Sequence, residues 1–153
     1  MYFIVAGEGG HFAQAKRLIA LADQTSKDRI VHISDNENCK LSNICVTLKP
    51  LRCKDSNYCF TDLSNFIKNI IVIYKSFGSY NNVRVVSLGP GIAIPVALIG
   101  KIKGAKIIHI ETWSRITSKS ITGRIMYFLS DKFIVQHKSL VKIYPKSIYG
   151  GLL

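Results

Sequence analysis

Acidic residues are scarce in this chain: nine Asp and Glu stand against 21 Lys and Arg, a formal net charge of +12. A deficit of that size predicts an anionic partner, whether a phosphorylated ligand, a nucleic acid, an acidic lipid surface or an acidic protein. Long apolar runs are missing too. The longest uncharged one, Leu88–Gly100, has 13 residues and contains Pro90 and Pro95, against the roughly 20 that a membrane-spanning helix needs. No transmembrane span is therefore expected. Met1 is followed by the apolar run Tyr2-Phe3-Ile4-Val5-Ala6 with no basic residue before it and Glu8 directly after. This is not the layout of a secretory signal, and it predicts a cytoplasmic location. Paired C-x-x-C knuckles are absent: Cys39, Cys45, Cys53 and Cys59 are separated by five or seven residues. Partly buried thiols are expected, with no metal site. Internal repeats, linkers and low-complexity tracts are also lacking, so residues 1–153 read as one domain, and 48% apolar residues exclude disorder.

What is present alternates. A short apolar run at 2–6 leads into Gly7-Glu8-Gly9-Gly10, and residues 11–24 then place Phe12, Ala15, Leu18, Ile19 and Ala22 at helical spacing. Strands are expected at Arg29–Ser34 and Ile44–Leu48, and a loop at Pro50–Asn57. The longest helix is expected from Phe60 to Phe77, capped by Thr61 or Asp62. Val83–Leu88 reads as a strand, Gly89-Pro90-Gly91 as a turn, and Ile92–Lys103 as a helix with Pro95 in its first turn. A strand at Lys106–Glu111, a helix at Ser118–Ser130, a strand at Lys132–Gln136 and a short tail complete the chain. Strands that are apolar throughout and alternate with helices predict an α/β fold, a Rossmann-like doubly wound parallel sheet.

In such a sheet, ligands bind where strand ends lead into helix N-termini, and three loops stand out. Gly7-Glu8-Gly9-Gly10-His11 opens a helix and offers bare amides to an anion, with His11 in the first turn. A plain tight turn explains the same glycines. The dinucleotide fingerprint G-x-G-x-x-G fails at Phe12, although Asp35 imitates its ribose-binding acid. Ser87-Leu88-Gly89-Pro90-Gly91 is a rigid turn suited equally to a phosphate or to close packing. Glu111-Thr112-Trp113-Ser114-Arg115 sets an acid, an aromatic, a hydroxyl and a base side by side; a functional cluster and a buried Glu111–Arg115 pair are both open.

Charge gathers toward the C-terminus, where residues 101–153 hold ten Lys or Arg against Glu111 and Asp131. Interleaved with Ile116, Ile121, Ile125, Met126, Tyr127, Phe128 and Leu129, these cations suit an anionic membrane surface or simply form a solvated face. No recognition-helix pattern, aromatic ribonucleoprotein motif or zinc finger is found, so nucleic acid is not expected.

Five segments together carry a resemblance: Gly9-Gly10-His11, Gly89-Pro90-Gly91, Ile110-Glu111-Thr112-Trp113-Ser114-Arg115, Asp131-Lys132-Phe133-Ile134-Val135-Gln136, and Tyr144-Pro145-Lys146 with Tyr149-Gly150-Gly151. The chain resembles the PssD/CpsF type of bacterial polysaccharide-biosynthesis glycosyltransferase subunit. It is similar also to the membrane-anchoring subunit of the eukaryotic transferase that adds the second N-acetylglucosamine to dolichol-linked sugar. The likeness runs from residue 2 to 151 and is more specific over 83–151. It implies one half of a split GT-B glycosyltransferase acting in capsular or exopolysaccharide biosynthesis. This half would recognise a lipid-diphosphate-linked saccharide, while a separate donor-binding subunit holds the nucleotide sugar at the shared cleft. The eukaryotic subunit has a membrane helix before its first strand. No such run precedes Tyr2, so the expectation is peripheral attachment at the inner face of the plasma membrane.

The resemblance implies that the glycine loop with His11 faces the acceptor diphosphate or the reacting hydroxyl and that Glu111 and Arg115 line the cleft. The expected acceptor and phosphate contacts are Gly9, Gly10, Gly89, Gly91, Ser114 and Arg115, and the expected catalytic pair is His11 and Glu111. No cofactor is implied. His11 is the favoured base, since imidazole titrates near neutrality and a helix N-terminus holds it neutral; Glu111 would orient sugar hydroxyls. His109 and His137 read as packing or surface residues. A non-catalytic membrane adaptor and a nucleotide-dependent oxidoreductase or epimerase are the alternatives.

Overall fold

Short β-branched runs become strands because branched side chains pack well on a pleated surface. The computed structural model describes residues 1–38, 40–49, 61–78 and 80–153, without the side chains of 61–63. The expected loop at Pro50–Asn57 and Cys39, Cys53 and Cys59 lie outside the described residues, as do the side chains of Thr61 and Asp62 on which the expected cap rests. The strands are β1 (Tyr2–Val5), β2 (Ile30–Ser34), β3 (Ile44–Thr47), β4 (Arg84–Ser87), β5 (Lys106–Ile110), β6 (Lys132–Val135) and β7 (Ile148–Tyr149). They form one seven-stranded sheet in the order β3-β2-β1-β4-β5-β6-β7, and every pairing is parallel. The helices are α1 (Gly10–Ala20), α2 (Gln24–Lys27), α3 (Thr61–Gly78), α4 (Ala93–Ile102), α5 (Ile121–Leu129) and α6 (Lys138–Ile143). The doubly wound α/β expectation is met.

Alternate side chains of each strand point to opposite faces, so the sheet divides the core in two. Phe3, Val5, Val31, Ile33, Val85 and Ile107 meet Ile73 and Phe77 of α3, Val96 of α4, Met126 of α5 and Leu140 of α6. The Phe3 and Phe77 rings stand 4.7 Å apart at the centre of this cluster. On the other face Ile4, Ala6, Ile30, Val86 and Ile110 pack on Ala15 of α1. Each fully buried aliphatic or aromatic side chain here contributes about 1.5–3 kcal/mol relative to exposure.

Three boundaries differ from the sequence expectation. The first helix stops at Ala20, and residues 24–27 form the separate turn α2. The helix expected from Ser118 begins at Ile121, because Ser120 is its N-cap and its Oγ accepts a 2.7 Å hydrogen bond from the Gly123 N–H. The expected tail after residue 136 instead folds into α6 and β7. Six- and two-residue elements are too short to express a hydrophobic period.

Because β3 connects through α3 to β4, on the far side of β1, strand order reverses between β1 and β4. The crevice at such a switch point opens at the carboxyl ends of the strands, where the three sequence-marked loops converge.

Candidate functional site

A cavity of about 510 Å³ lies at those strand ends. Gly10 and His11 line it from the start of α1, Gly89 from the loop after β4, Thr112, Trp113, Ser114 and Arg115 from the loop after β5, and Ser120, Ile121 and Thr122 from the start of α5. Of the expected contacts, Gly10, His11, Gly89, Ser114 and Arg115 are brought together. Gly9 and Gly91 stand beside the cavity in exposed turns and are not in its wall.

His11 is half-buried, and its Nδ1 lies 2.6 Å from the carbonyl oxygen of Leu88. A carbonyl only accepts, so Nδ1 carries the hydrogen and the neutral ring keeps its lone pair on Nε2. Burial lowers the imidazole pKa below its ordinary value, partly offset by the Leu88 hydrogen bond and by the negative charges of Asp35 and Glu111. The neutral form was expected; burial rather than the helix N-terminus is its main cause. Gly89 makes the seat for this ring. Its φ is +104°, and a Cβ there would stand 2.9 Å from His11 Cε1, so a side chain is excluded by both backbone and contact.

Glu111 is fully buried behind the cavity wall. Its Oε1 accepts from the Thr112 N–H at 3.0 Å and from Ser120 Oγ at 2.9 Å, and its Oε2 accepts from the Tyr144 hydroxyl at 3.0 Å. The carboxylate thereby sits at the N-terminus of α5, where the helix dipole favours negative charge. Gly123 permits this approach, since a Cβ on it would fall on Glu111 Oε2. The open Glu111–Arg115 pair does not form: Arg115 is exposed and its guanidinium reaches Ser118 Oγ at 3.4 Å. The two residues are separated because the carboxylate turns inward while the loop carries Arg115 outward. Glu111 as placed holds the loop in shape, while Ser114, Ser120 and Thr122 present the hydroxyls that line the cavity.

The rest of the loop is clamped as well. His137 Nε2 lies 2.6 Å from the carbonyl of Trp113, the Gln136 amide donates to the carbonyl of Glu111 at 2.9 Å, and the Arg17 guanidinium stacks 4.6 Å from the Trp113 ring centroid. His137 is thus a positioning residue rather than a surface one. His109 is fully buried on β5, with Nδ1 3.0 Å from Ser87 Oγ, and burial pushes its pKa down to about 3. Sequence reasoning missed the roles of Ser120, Gln136 and Tyr144. The Ser120 N-cap has a local signal, but Tyr144 has none, because it meets Glu111 across 33 positions.

Asp35 packs against Gly7, where a Cβ would stand 2.7 Å from its Oδ1, and it is not in the cavity wall. Cys45, the one cysteine among the described residues, places Sγ 3.8 Å from His32 Nδ1. Among the described residues no group of His, Cys, Asp and Glu is arranged to hold a metal.

The family described as "Oligosaccharide biosynthesis protein Alg14 like" matches residues 13–153. The UDP-N-acetylglucosamine transferase subunit ALG14 of Rattus norvegicus is 30% identical, over 97% of this chain and 80% of that protein. The Homo sapiens subunit of the same name is 28% identical with the same coverage, and that of Candida albicans 28%, over 98% of this chain and 76% of that one. Among solved structures, MurG of Acinetobacter baumannii superposes with a TM-score of 0.64 at 14% identity, covering 99% of this chain and 43% of that one. The UDP-N-acetylglucosamine 2-epimerase of Rickettsia bellii gives 0.61 at 11% identity, with 99% and 44% covered. The structural matches show the fold, that of one half of a GT-B molecule. The chain belongs to the Alg14-like family of oligosaccharide-biosynthesis proteins.

Proposed function

We propose that this chain is the acceptor-side subunit of a two-chain glycosyltransferase. It takes a sugar from a nucleotide sugar, held by a separate donor-binding chain, to a lipid-diphosphate-linked saccharide at an anionic membrane. The names of the relatives make UDP-N-acetylglucosamine the donor to test first. The exported-polysaccharide destination rests on the PssD/CpsF resemblance, and the peripheral inner-face location on the same reading. The single observation that carries the proposal is the match of residues 13–153 to the Alg14-like family; the His11 Nδ1 to Leu88 hydrogen bond, in the wall of the strand-end cavity, supports the choice of base.

In the reaction the acceptor hydroxyl oxygen forms the new bond to the anomeric carbon. The bond from that carbon to the nucleotide diphosphate breaks, and its electron pair leaves with the phosphate. The hydroxyl proton passes to Nε2 of His11. Arg115 and the uncapped amides at the start of α1 supply positive potential for the acceptor diphosphate. Ser114, Ser120 and Thr122 offer hydroxyls to the sugar. Glu111 acts through the loop it holds, as a positioning residue.

The test is His11→Ala in the complex with the donor-binding chain. General-base catalysis typically contributes about 10²-fold or more, so turnover should fall by that much while complex formation is kept. Normal turnover with normal assembly removes the catalytic assignment and leaves the adaptor reading.

A further inference from the structure

The solvent side of α5 is not polar. Ile121, Arg124, Ile125 and Phe128 recur at three- and four-residue spacing and share one stripe. Ile121 is 79% exposed, Ile125 41% and Phe128 83%, and Ile116 in the preceding loop is 56% exposed. The opposite side of the helix supplies Gly123 and Met126 to the interior. A helix on the surface of a folded domain ordinarily turns charged residues outward; this one turns three large apolar ones.

Charge runs one way along the same segment. Residues 112–130 contain Arg115, Lys119 and Arg124 and no Asp or Glu. Asp131, just beyond, is occupied by Lys101 Nζ at 3.0 Å and by the Ile107 N–H at 2.7 Å. Glu111 is sealed inside. Nothing acidic on this stretch offsets its cations. Lys119 is half-buried with its ammonium 4.9 Å from the Tyr144 ring centroid, while Arg115 and Arg124 are exposed; exposed Ile and Phe beside such cations is the pattern of a helix lying in the headgroup layer of an anionic bilayer.

Position adds a second argument. Ile121 is both a wall of the strand-end cavity and the first residue of the exposed stripe. A lipid-diphosphate-linked acceptor keeps its tail in the bilayer, so the cavity mouth has to sit within a diphosphate's length of the membrane. We infer that the outer face of α5, with Ile116 and Lys119, is the surface that docks on an anionic bilayer and delivers the lipid-linked acceptor to the cavity. This rests on the function proposed above and specifies which surface serves it.

Flotation of the full chain with vesicles of phosphatidylcholine and phosphatidylglycerol tests the inference. Wild type should float with mixed vesicles and not with pure phosphatidylcholine. The pair Ile125→Ser and Phe128→Ser, and separately Lys119→Gln with Arg124→Gln, should each lower the bound fraction by about tenfold or more. Circular dichroism and capture of the donor-binding chain should be unchanged. Ile71→Ser with Tyr74→Ser, also exposed on α3, should bind as wild type. Variants of α5 that float normally, or that lose capture of the donor-binding chain while still floating, overturn the assignment. So does a wild type that fails to float. Transfer to a short-chain, water-soluble acceptor by the chain together with its donor-binding partner separates the two ideas: its absence in the wild-type pair sinks the proposed function, whereas transfer without vesicle binding sinks only the docking surface.

Discussion

The Tyr144 hydroxyl donates a 3.0 Å hydrogen bond to Glu111 Oε2 in the buried space between β5, α5 and the end of α6. Burial, with the negative charge of Glu111, holds the phenol well above its ordinary pKa, so it remains a donor. The same carboxylate takes Ser120 Oγ and the Thr112 N–H. One acid therefore joins a strand end, a helix N-terminus and a C-terminal helix, and the cavity wall at 112–115 is shaped by it.

Tyr144→Phe removes one donor and nothing else from that cluster. Hydrogen bonds to charged groups contribute about 1.5–3 kcal/mol, and urea denaturation should show a loss in that range. Glu111→Ala should cost more, since it strands three donors in the interior at once. If Tyr144→Phe stays within about 0.5 kcal/mol of wild type, as an ordinary surface change does, Glu111 does not organise this region.

Gly89 and Gly91 flank the same proline and should respond oppositely to alanine. Gly89→Ala meets a positive φ and the His11 ring, and should destabilise by about 1 kcal/mol or more while displacing the imidazole. A Cβ on Gly91 meets nothing within 4 Å, so its alanine variant should stay within about 0.5 kcal/mol. Nitrogen chemical shifts of the His11 ring report the displacement directly, and an unchanged Nδ1–H signal in Gly89→Ala would show that the glycine is not the seat of the ring.

Turnover of the reconstituted pair should depend on pH through His11. A base must be neutral to accept a proton, and burial lowers the pKa of this ring below the ordinary 6.5. The profile of kcat/KM should be flat above neutrality and fall as pH drops, with a midpoint below 6.5. A midpoint above that value, or the same acid limb in His11→Ala, would assign the limb to another group.

His109 makes a separate, structural prediction. Its pKa is pushed down to about 3 by burial, whereas in the unfolded chain it lies near the ordinary value of about 6.5. The unfolded state thus binds the extra proton first. Stability is fully present above about pH 6.5 and drains as pH falls toward 3, by several kcal/mol in all. Urea midpoints measured from pH 7 to 4 should decline less steeply in His109→Gln than in wild type. Equal slopes would mean that another group carries the acid sensitivity.

The α/β alternation was legible in the amino-acid sequence, because side-chain period and β-branching act within a few residues. So were the three loops that carry the site, because glycine and proline restrict the backbone where they stand. Tertiary structure alone decided how those loops meet. The crossing of α3 from β3 to β4 brings Gly10, His11, Gly89 and the 112–115 loop to one cavity. It decided the direction of Glu111 as well, since a carboxylate four residues before Arg115 is drawn instead to Ser120 at the start of α5 and to the Tyr144 hydroxyl, donors that no pairing with Arg115 announces. α6 and β7 follow the same logic. Segments this short have too few intrinsic contacts to set their own conformation and take it from the sheet edge and core they join.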